Sequence, residues 1–180
     1  MDFTELVKTR QSVRNFNGRP VERDMLDKCI EAARLSPSAC NAQPWKFILI
    51  DEMDLVRKIA SCTHSAAVKF NKFTDKAAAF AVVVIEPGTI ASRAGALLSN
   101  SDYALMDMGM AVEHFCLQAA ELNLGTCIIG WCRRNEIKKI LDIPLKKKVG
   151  LLIAIGYEDE PELRNKIRKS TNEMSSYNKY

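Results

Sequence analysis

The sequence predicts a single domain that mixes α-helices with β-strands. Two short segments, residues 45–50 and 79–85, are apolar at nearly every position, as buried strands are. Around them, apolar residues recur at steps of three and four, which is the spacing of an amphipathic helix. The two kinds of segment alternate along the chain, and this alternation by itself favours the α/β class. A length of 180 residues without internal repeats or a linker suits one domain.

The first half of the chain is predicted to hold two helices and two strands. A short helix runs from residue 2 to about residue 9, and an amphipathic helix follows over residues 22–35. The apolar positions of the second helix have helical spacing: Leu26, Cys29, Ile30 and Ala33. Pro37 ends this helix because proline cannot continue it. Residues 45–50 then form the first strand and residues 79–85 the second.

The second half begins with residues 88–100, a segment rich in small residues that fits either a mobile lid or a short helix. A long helix is predicted over residues 102–124. Its polar positions form one narrow stripe: Asp107, His114, Gln118 and Glu121. A helix that is otherwise apolar lies in a core or in a subunit interface. A strand over 126–130, a helix over 135–141 and a strand over 149–157 follow.

Residues 158–180 form a charged tail with few apolar residues. Such a tail is typically disordered unless another chain holds it.

Composition and charge exclude several classes of protein. Hydrophobic residues make up 47% of the chain and charged residues 27%, as in ordinary globular domains. The net charge of +4 is mild, and the one basic run, residues 146–148, fits a solvated edge better than a nucleic-acid surface. The N-terminus lacks the pattern of a secretory signal, and no apolar stretch is long enough for a membrane helix. We therefore expect a cytoplasmic protein without a nucleic-acid or membrane partner.

The six cysteines show no C-x-x-C spacing and no paired histidines nearby, and the two histidines, His64 and His114, are expected to stand alone. A metal site needs about four converging ligands, so neither a metal site nor a disulfide framework is expected. The cysteines are predicted to be small buried side chains in a reducing compartment.

Two segments in the first quarter of the chain indicate function. One is Thr9-Arg10-Gln11-Ser12-Val13-Arg14-Asn15-Phe16, in which two arginines and a serine follow the first helix. The other is Ser36-Pro37-Ser38-Ala39-Cys40-Asn41-Ala42-Gln43-Pro44-Trp45, a loop between a helix and a strand. A charged fork with a nearby hydroxyl is what a phosphate requires, although the first segment alone also fits a solvated helix end. Likewise, the second segment alone fits a turn in which Trp45 fills the core.

Together, in this order and spacing, the two segments resemble the N-terminal signature of the FMN-dependent nitroreductase family, R-R-S-x-R-x-F followed by S-P-S-x-x-N-x-Q-P-W. The resemblance changes the expected class to α+β: a nitroreductase-like FMN-binding fold with a central, mostly antiparallel sheet flanked by helices. It further implies an interlocked homodimer with one FMN in each of two interface pockets. The whole chain would form one nitroreductase-like domain, whose C-terminal arm, residues 158–180, crosses to the partner subunit.

In the resembling family, the residue at Arg10 binds the FMN phosphate and the one at Ser12 assists. Gln11 lies between them in the same expected cofactor-binding set. Arg14 is expected at the N1–O2 edge of the isoalloxazine ring, where a fixed cation would stabilise the negative charge that reduction places at N1. Two further basic residues resemble the pair that completes the phosphate pocket: Lys166 and Arg168.

The loop is expected to contact the flavin of the partner subunit through four residues: Pro37, Ser38, Ala39 and Asn41. The family commonly has serine at the position of Ala39, where a contact is usually made by the backbone. The strand end Ile129-Gly130 resembles the segment whose backbone N–H groups point at flavin N5 and O4, although a plain strand-to-turn glycine fits equally well. Asn71 matches an asparagine at the O2/N3 edge.

The resemblance implies an enzyme that passes hydride from NAD(P)H through FMN to nitroaromatic, quinone or related acceptors by a ping-pong mechanism. No residue of these motifs is expected to act as a general acid or nucleophile, because the cofactor carries the chemistry. Two alternatives keep the flavin. One is a specialised enzyme on the same scaffold, such as a dehydrogenase, a dehalogenase or a flavin-degrading enzyme. The other is a non-catalytic flavin-binding protein.

Overall fold

The computed structural model describes residues 1–65, 67 and 69–180. Within them, seven α-helices and four β-strands are formed, and two short 3-10 turns accompany them. In chain order the elements are α1 Phe3–Thr9, α2 Arg23–Arg34, β1 Trp45–Ile50, α3 Met53–Ser61, β2 Ala79–Ile85, α4 Ile90–Ser99, α5 Tyr103–Glu121, β3 Gly125–Ile129, α6 Arg134–Ile140, β4 Lys148–Gly156 and α7 Thr171–Met174.

The four strands form one sheet in the order β1-β2-β4-β3, and every neighbouring pair is antiparallel. Strand β2 is apolar throughout because both of its faces are covered. Phe80 and Val82 point into a core layer shared with α3 and α6, whereas Ala81 and Val83 point into a layer shared with α2 and α5. The sheet is therefore sandwiched between two helical layers.

This architecture confirms the predicted α+β class with a central antiparallel sheet flanked by helices. The α/β class, which the alternation of helices and strands alone favours, is wrong. The alternation predicts which segments are strands, but not whether neighbouring strands pair in a parallel or an antiparallel manner. Both apolar strands have the predicted bounds, and the segment 88–100 contains a helix, α4, whose first turn is capped by Thr89. Helix α3 was not predicted. No helix in the described part of the chain is long and apolar enough to cross a membrane.

Helix α5 has two different apolar surfaces. Its inner face packs on the sheet, where Phe115 stacks on Phe47 with ring centroids 5.8 Å apart. The predicted polar stripe does not mark the outer face: Asp107 is 4% exposed, while its neighbour Met106 is 58% exposed. The outer face is instead apolar near the N-terminal end of the helix. The expected core position is therefore confirmed for the inner face, and the expected interface stays a prediction that concerns the outer face.

The segment that follows α1 is attached to the edge of the sheet. Ser12 forms a parallel bridge with Thr126 of β3, and the Val13 N–H donates a hydrogen bond of 2.9 Å to the Thr126 carbonyl. Phe16 then forms an antiparallel bridge with Glu158, just beyond β4. Residues 12–16 thus lie beside β3 and against the start of the C-terminal arm.

Close contact between Gly125 and Val13 makes this attachment sensitive to one methyl group. A Cβ added at Gly125 would lie 2.9 Å from three carbons of Val13. We expect Gly125→Ala to lower the free energy of unfolding by about 1–3 kcal/mol, because the segment must move to admit it. Urea unfolding measures this loss. Val13→Ala in the same chain should remove most of the clash, so the double variant should cost less than the sum of the single ones. Additive costs would contradict the contact.

Candidate functional site

A cleft of about 310 Å³ opens where the segment after α1 meets the C-terminal arm. The residues that line it come from these two segments alone: Arg10, Gln11, Ser12, Arg14, Arg164, Asn165, Lys166, Ile167 and Arg168. Five of them are cationic, one carries a hydroxyl, and none is a carboxylate. We call this the cationic cleft. Its donors suit an anion with several oxygen acceptors, such as a phosphate.

Arg10 occupies the C-cap of α1, where the chain leaves the helix and becomes extended. Its Nε lies 3.1 Å from Oε1 of Glu113 on α5, a half-exposed carboxylate. The Nε–H is nevertheless not directed at an acceptor, and it is buried without a hydrogen-bond partner among the described residues. Arg10 is thus held near the cleft by charge and keeps donor capacity for a ligand.

The C-terminal arm is fastened to the segment after α1 by Gln11. The Gln11 side-chain N–H₂ donates to the Glu162 carbonyl at 2.7 Å, and its Oε1 accepts from the backbone N–H of Arg164 at 3.2 Å. The Arg164 guanidinium donates in turn to the Ser12 carbonyl. Residues 159–166 are therefore hydrogen-bonded to residues 7–15 of the same chain. The expected crossing of the arm to a partner subunit stays a prediction.

Lys166 completes this side of the cleft. Its Nζ donates to the carbonyl oxygens of Val7 and Arg10, at 2.8 and 2.6 Å. Burial lowers the pKa of Lys166 from its ordinary value, and the positive charges of Arg10 and Arg168 lower it further. Arg10, Lys166 and Arg168 thus line one cleft and lie close enough to repel one another.

The structure brings the predicted phosphate-side residues Arg10, Gln11, Ser12, Lys166 and Arg168 together in the cationic cleft, and Arg14, predicted at the ring edge, lines the same cleft. Sequence reasoning missed Arg164, which interacts with the backbone of the same segment. Its spacing was the available signal: Arg164, Lys166 and Arg168 stand at every second position, which places them on one side of an extended chain.

The loop between α2 and β1 has an unusual backbone. Three of its residues have positive φ angles, Cys40 at 51°, Asn41 at 49° and Gln43 at 45°. Such angles cost energy in residues other than glycine and persist only where the surroundings hold them. Inside the loop, Ser38 Oγ accepts the Gln43 N–H at 2.9 Å. From outside it, Asp107 of α5 accepts the Ala39 N–H at 3.1 Å.

No residue of this loop lines the cationic cleft. Of the four predicted contact residues, Pro37 and Asn41 are exposed and Ser38 and Ala39 are partly buried. Within one chain, the structure therefore does not bring the two predicted halves of the site together.

At the end of β3, Ile129 is buried and Gly130 is exposed. A Cβ added at Gly130 would meet nothing within 4 Å, so space is open beside this glycine. Asn71 is buried nearby, and its Nδ2 donates to the carbonyls of Thr63 and Trp131, at 3.1 and 3.5 Å. This amide therefore ties two loops together, and neither it nor the strand end lines the cationic cleft.

Two expectations about cysteine and histidine need correction. Five cysteines are buried as predicted, and burial raises the pKa of Cys29 and of Cys116 to about 12, so these thiols are inert. Cys40, however, is exposed in the loop. His64 does not stand alone, because its Nε2 lies 2.7 Å from Oδ1 of Asp75. In the described part of the chain, no three His, Cys, Asp or Glu residues are grouped to hold a metal ion.

The fold and the cationic cleft together define an α+β protein with a cleft whose lining suits an anion. A family model described as Nitroreductase family matches residues 7–157. The chain therefore belongs to the nitroreductase family, and the prediction of an oxidoreductase of this type is confirmed at that level.

Individual comparisons agree with this assignment. An oxygen-insensitive NADPH nitroreductase from Helicobacter pylori is 27% identical over 198 residues, which cover 92% of this chain and 91% of the relative. The crystal structure of a nitroreductase family protein from Clostridium novyi NT is 28% identical with a TM-score of 0.77, covering 92% of this chain and 89% of that one. An FMN-dependent nitroreductase from Clostridium difficile R20291 shares the fold, with a TM-score of 0.80 at 24% identity over 99% of this chain and all of that one.

Proposed function

We propose that this protein is an FMN-dependent oxidoreductase that transfers hydride from NAD(P)H to nitroaromatic, quinone or related acceptors in a ping-pong cycle. The observation that carries the proposal is the cationic cleft, in which five cations and a hydroxyl converge without a lining carboxylate. A phosphate monoester carries close to two negative charges and several acceptor oxygens, so it fits this donor set. Membership of the nitroreductase family supports the same cofactor.

Each predicted residue has a role toward FMN in this proposal. Arg10, Ser12, Lys166 and Arg168 would hold the phosphate, and Gln11 would keep the arm in place. Arg14 is exposed at the mouth of the cleft, and its Nη1 makes one long hydrogen bond of 3.4 Å, to the Ser12 carbonyl, so it is available for the N1–O2 edge of the ring. When bound, FMN would supply the hydride acceptor and donor at N5.

The strand end and the buried amide would form the ring side of the pocket. The open space beside Gly130 would admit a flat ring close to the backbone, with the N–H groups of Ile129-Gly130 near N5 and O4. Asn71 would contact the O2/N3 edge through its oxygen, because its nitrogen already donates to two carbonyls.

The proposed assembly is a homodimer. On the outer face of α5, three large apolar side chains are exposed: Leu105, Met106 and Met110. Helix α1, tied to α5 through the Arg10–Glu113 ion pair, exposes Phe3 and Val7 as well. Neighbouring apolar side chains of this size on one surface are typical of a subunit interface. We call these five residues the apolar stripe.

A second chain would also supply the missing half of the site. The loop residues Pro37, Ser38, Ala39 and Asn41 do not line their own chain's cleft, so their proposed flavin is the partner's. The C-terminal residues beyond 168, which include α7 and the exposed Met174 and Tyr177, would cross to the partner.

The visible absorption spectrum of the purified protein tests the proposed function. We expect a flavin spectrum that NADH or NADPH bleaches under anaerobic conditions and that a nitroaromatic or a quinone restores. A specialised enzyme would be bleached but not restored by these acceptors, and a flavin carrier would not be bleached. A protein that neither purifies with FMN nor takes it up would contradict the proposal.

Replacement of Arg14 should change the chemistry of the flavin more than its retention. In Arg14→Gln the positive charge near N1 is lost, so the reduction potential of bound FMN should fall and its reduction by NAD(P)H should slow.

Arg10→Ala should instead weaken FMN binding about ten- to a hundredfold, the size of one charge-assisted contact. Arg57→Ala, on the exposed face of α3, is the control for both. Redox titration and fluorescence titration measure the two quantities; a wild-type potential in Arg14→Gln would remove Arg14 from the ring edge.

Disruption of the apolar stripe should separate the subunits. Met106→Glu with Met110→Glu places two charges on the proposed interface, so light scattering after size exclusion should report a monomer that has lost most of its FMN. Leu145→Glu, at a still more exposed apolar position between α6 and β4, should leave the dimer intact. Deletion of residues 170–180 spares the cleft and should weaken the dimer. A monomeric wild-type protein, or a charged variant that stays dimeric, would refute this assembly.

A further inference from the structure

Asp107 is a buried acidic residue that the proposed chemistry does not use. It lies on α5 between the exposed Met106 and the buried Met108, and it is 4% exposed. Its one hydrogen-bond partner among the described residues is the backbone N–H of Ala39, which its Oδ2 accepts at 3.1 Å. Buried carboxyl groups are costly unless they are hydrogen-bonded, so this contact needs an explanation beyond packing.

The contact joins α5 to a loop that is otherwise bonded mainly to itself. Ser38 accepts the N–H groups of Asn41 and Gln43, and the Ala39 carbonyl accepts the N–H of Ala42. These internal hydrogen bonds fix the shape of the loop but not its position on the protein. From outside the loop, the Glu86 N–H donates to the Pro44 carbonyl at 3.0 Å and holds its C-terminal end, whereas the bond to Asp107 holds it at Ala39.

The strained backbone makes such an anchor necessary. Three of the four residues from Cys40 to Gln43 have positive φ angles, and none of them is glycine. A loop of this kind relaxes when its surroundings no longer hold it. Asp107 is also adjacent in sequence to Met106 of the apolar stripe, so one helix carries both the proposed interface and the anchor of the loop.

We propose that Asp107 is a positioning residue: through its hydrogen bond to the Ala39 N–H it holds Ser38, Ala39 and Asn41 in the arrangement that the partner subunit's flavin contacts. This inference rests on the proposed function, because it assumes an FMN site completed across a dimer. It adds a residue that contacts neither the cofactor nor the cationic cleft.

Removal of either partner of the hydrogen bond should loosen the flavin site. We expect Asp107→Ala to weaken FMN binding by about tenfold or more and to change the visible circular dichroism of bound FMN. Asp107→Asn keeps an acceptor oxygen of the same reach and should bind FMN within about threefold of wild type. Val112→Ala, a core truncation on the same helix, should lower stability but leave the affinity and the spectrum unchanged.

Ala39→Pro removes the donor from the other side. Ser38 has φ −151° and ψ 152°, the extended conformation that precedes proline, and Ala39 begins a 3-10 turn, so the backbone accepts this residue. Ala39→Pro should weaken FMN binding as Asp107→Ala does, and the double variant should be little worse than either alone, because both remove the same bond.

The outcomes separate this inference from the proposed function. Wild-type protein that binds no FMN overturns the proposed function and this inference with it. Wild-type protein that binds FMN, with Asp107→Ala and Ala39→Pro unchanged in affinity and spectrum, overturns the inference alone, as does additivity of the two substitutions. If Asp107→Ala fails to fold, the other two variants test the inference. Weakened FMN binding in Ala39→Pro together with retained binding in Asp107→Asn supports the anchor. Any other pair of results overturns it.

Discussion

The convergence of five cations in one cleft is the constraint on which the rest of the site depends. Like charges within one cleft raise each other's energy. Burial lowers the pKa of Lys166, and the positive charges of Arg10 and Arg168 lower it further. Backbone carbonyls offset part of this repulsion. Lys166 donates to the carbonyls of Val7 and Arg10, and Arg164 donates to the carbonyl of Ser12. The Glu113 carboxylate lies beside Arg10. In the proposed function, a bound phosphate would relieve the remaining repulsion.

To bring these cations together, the sheet edge, the segment after α1 and the C-terminal arm are joined by hydrogen bonds into one unit. Val13 is hydrogen-bonded to β3, Gln11 fastens the arm, and the arm brings Lys166 and Arg168 to the cleft. The arm has no apolar core of its own, so its position depends on the segment after α1. The position of that segment depends in turn on the sheet edge. Binding of an anion should therefore also stabilise the arm, and loss of the sheet-edge contact should weaken the anion site.

Much of the fold was predictable because its signals are local. Strands β1 and β2 are apolar at almost every position, and helices α1 and α2 begin and end at recognisable residues. The features that were missed depend on residues far apart in sequence. Asp107 was assigned to the polar stripe of α5, yet it is buried, and its partner is a backbone N–H 68 residues away. The His64–Asp75 pair and the attachment of Arg164 to Ser12 likewise come from the folding of loops, for which periodicity gives no signal.

A comparison of FMN with riboflavin tests the central claim most directly, because the two ligands differ only in the phosphate. Titration of the apoprotein with each, at one ionic strength, measures what the phosphate contributes to binding. Several charge-assisted contacts of about 1.5–3 kcal/mol each predict that FMN binds at least about a hundredfold more tightly, and that inorganic phosphate competes with it. Equal affinities for the two flavins would contradict the assignment of the cationic cleft as the phosphate site.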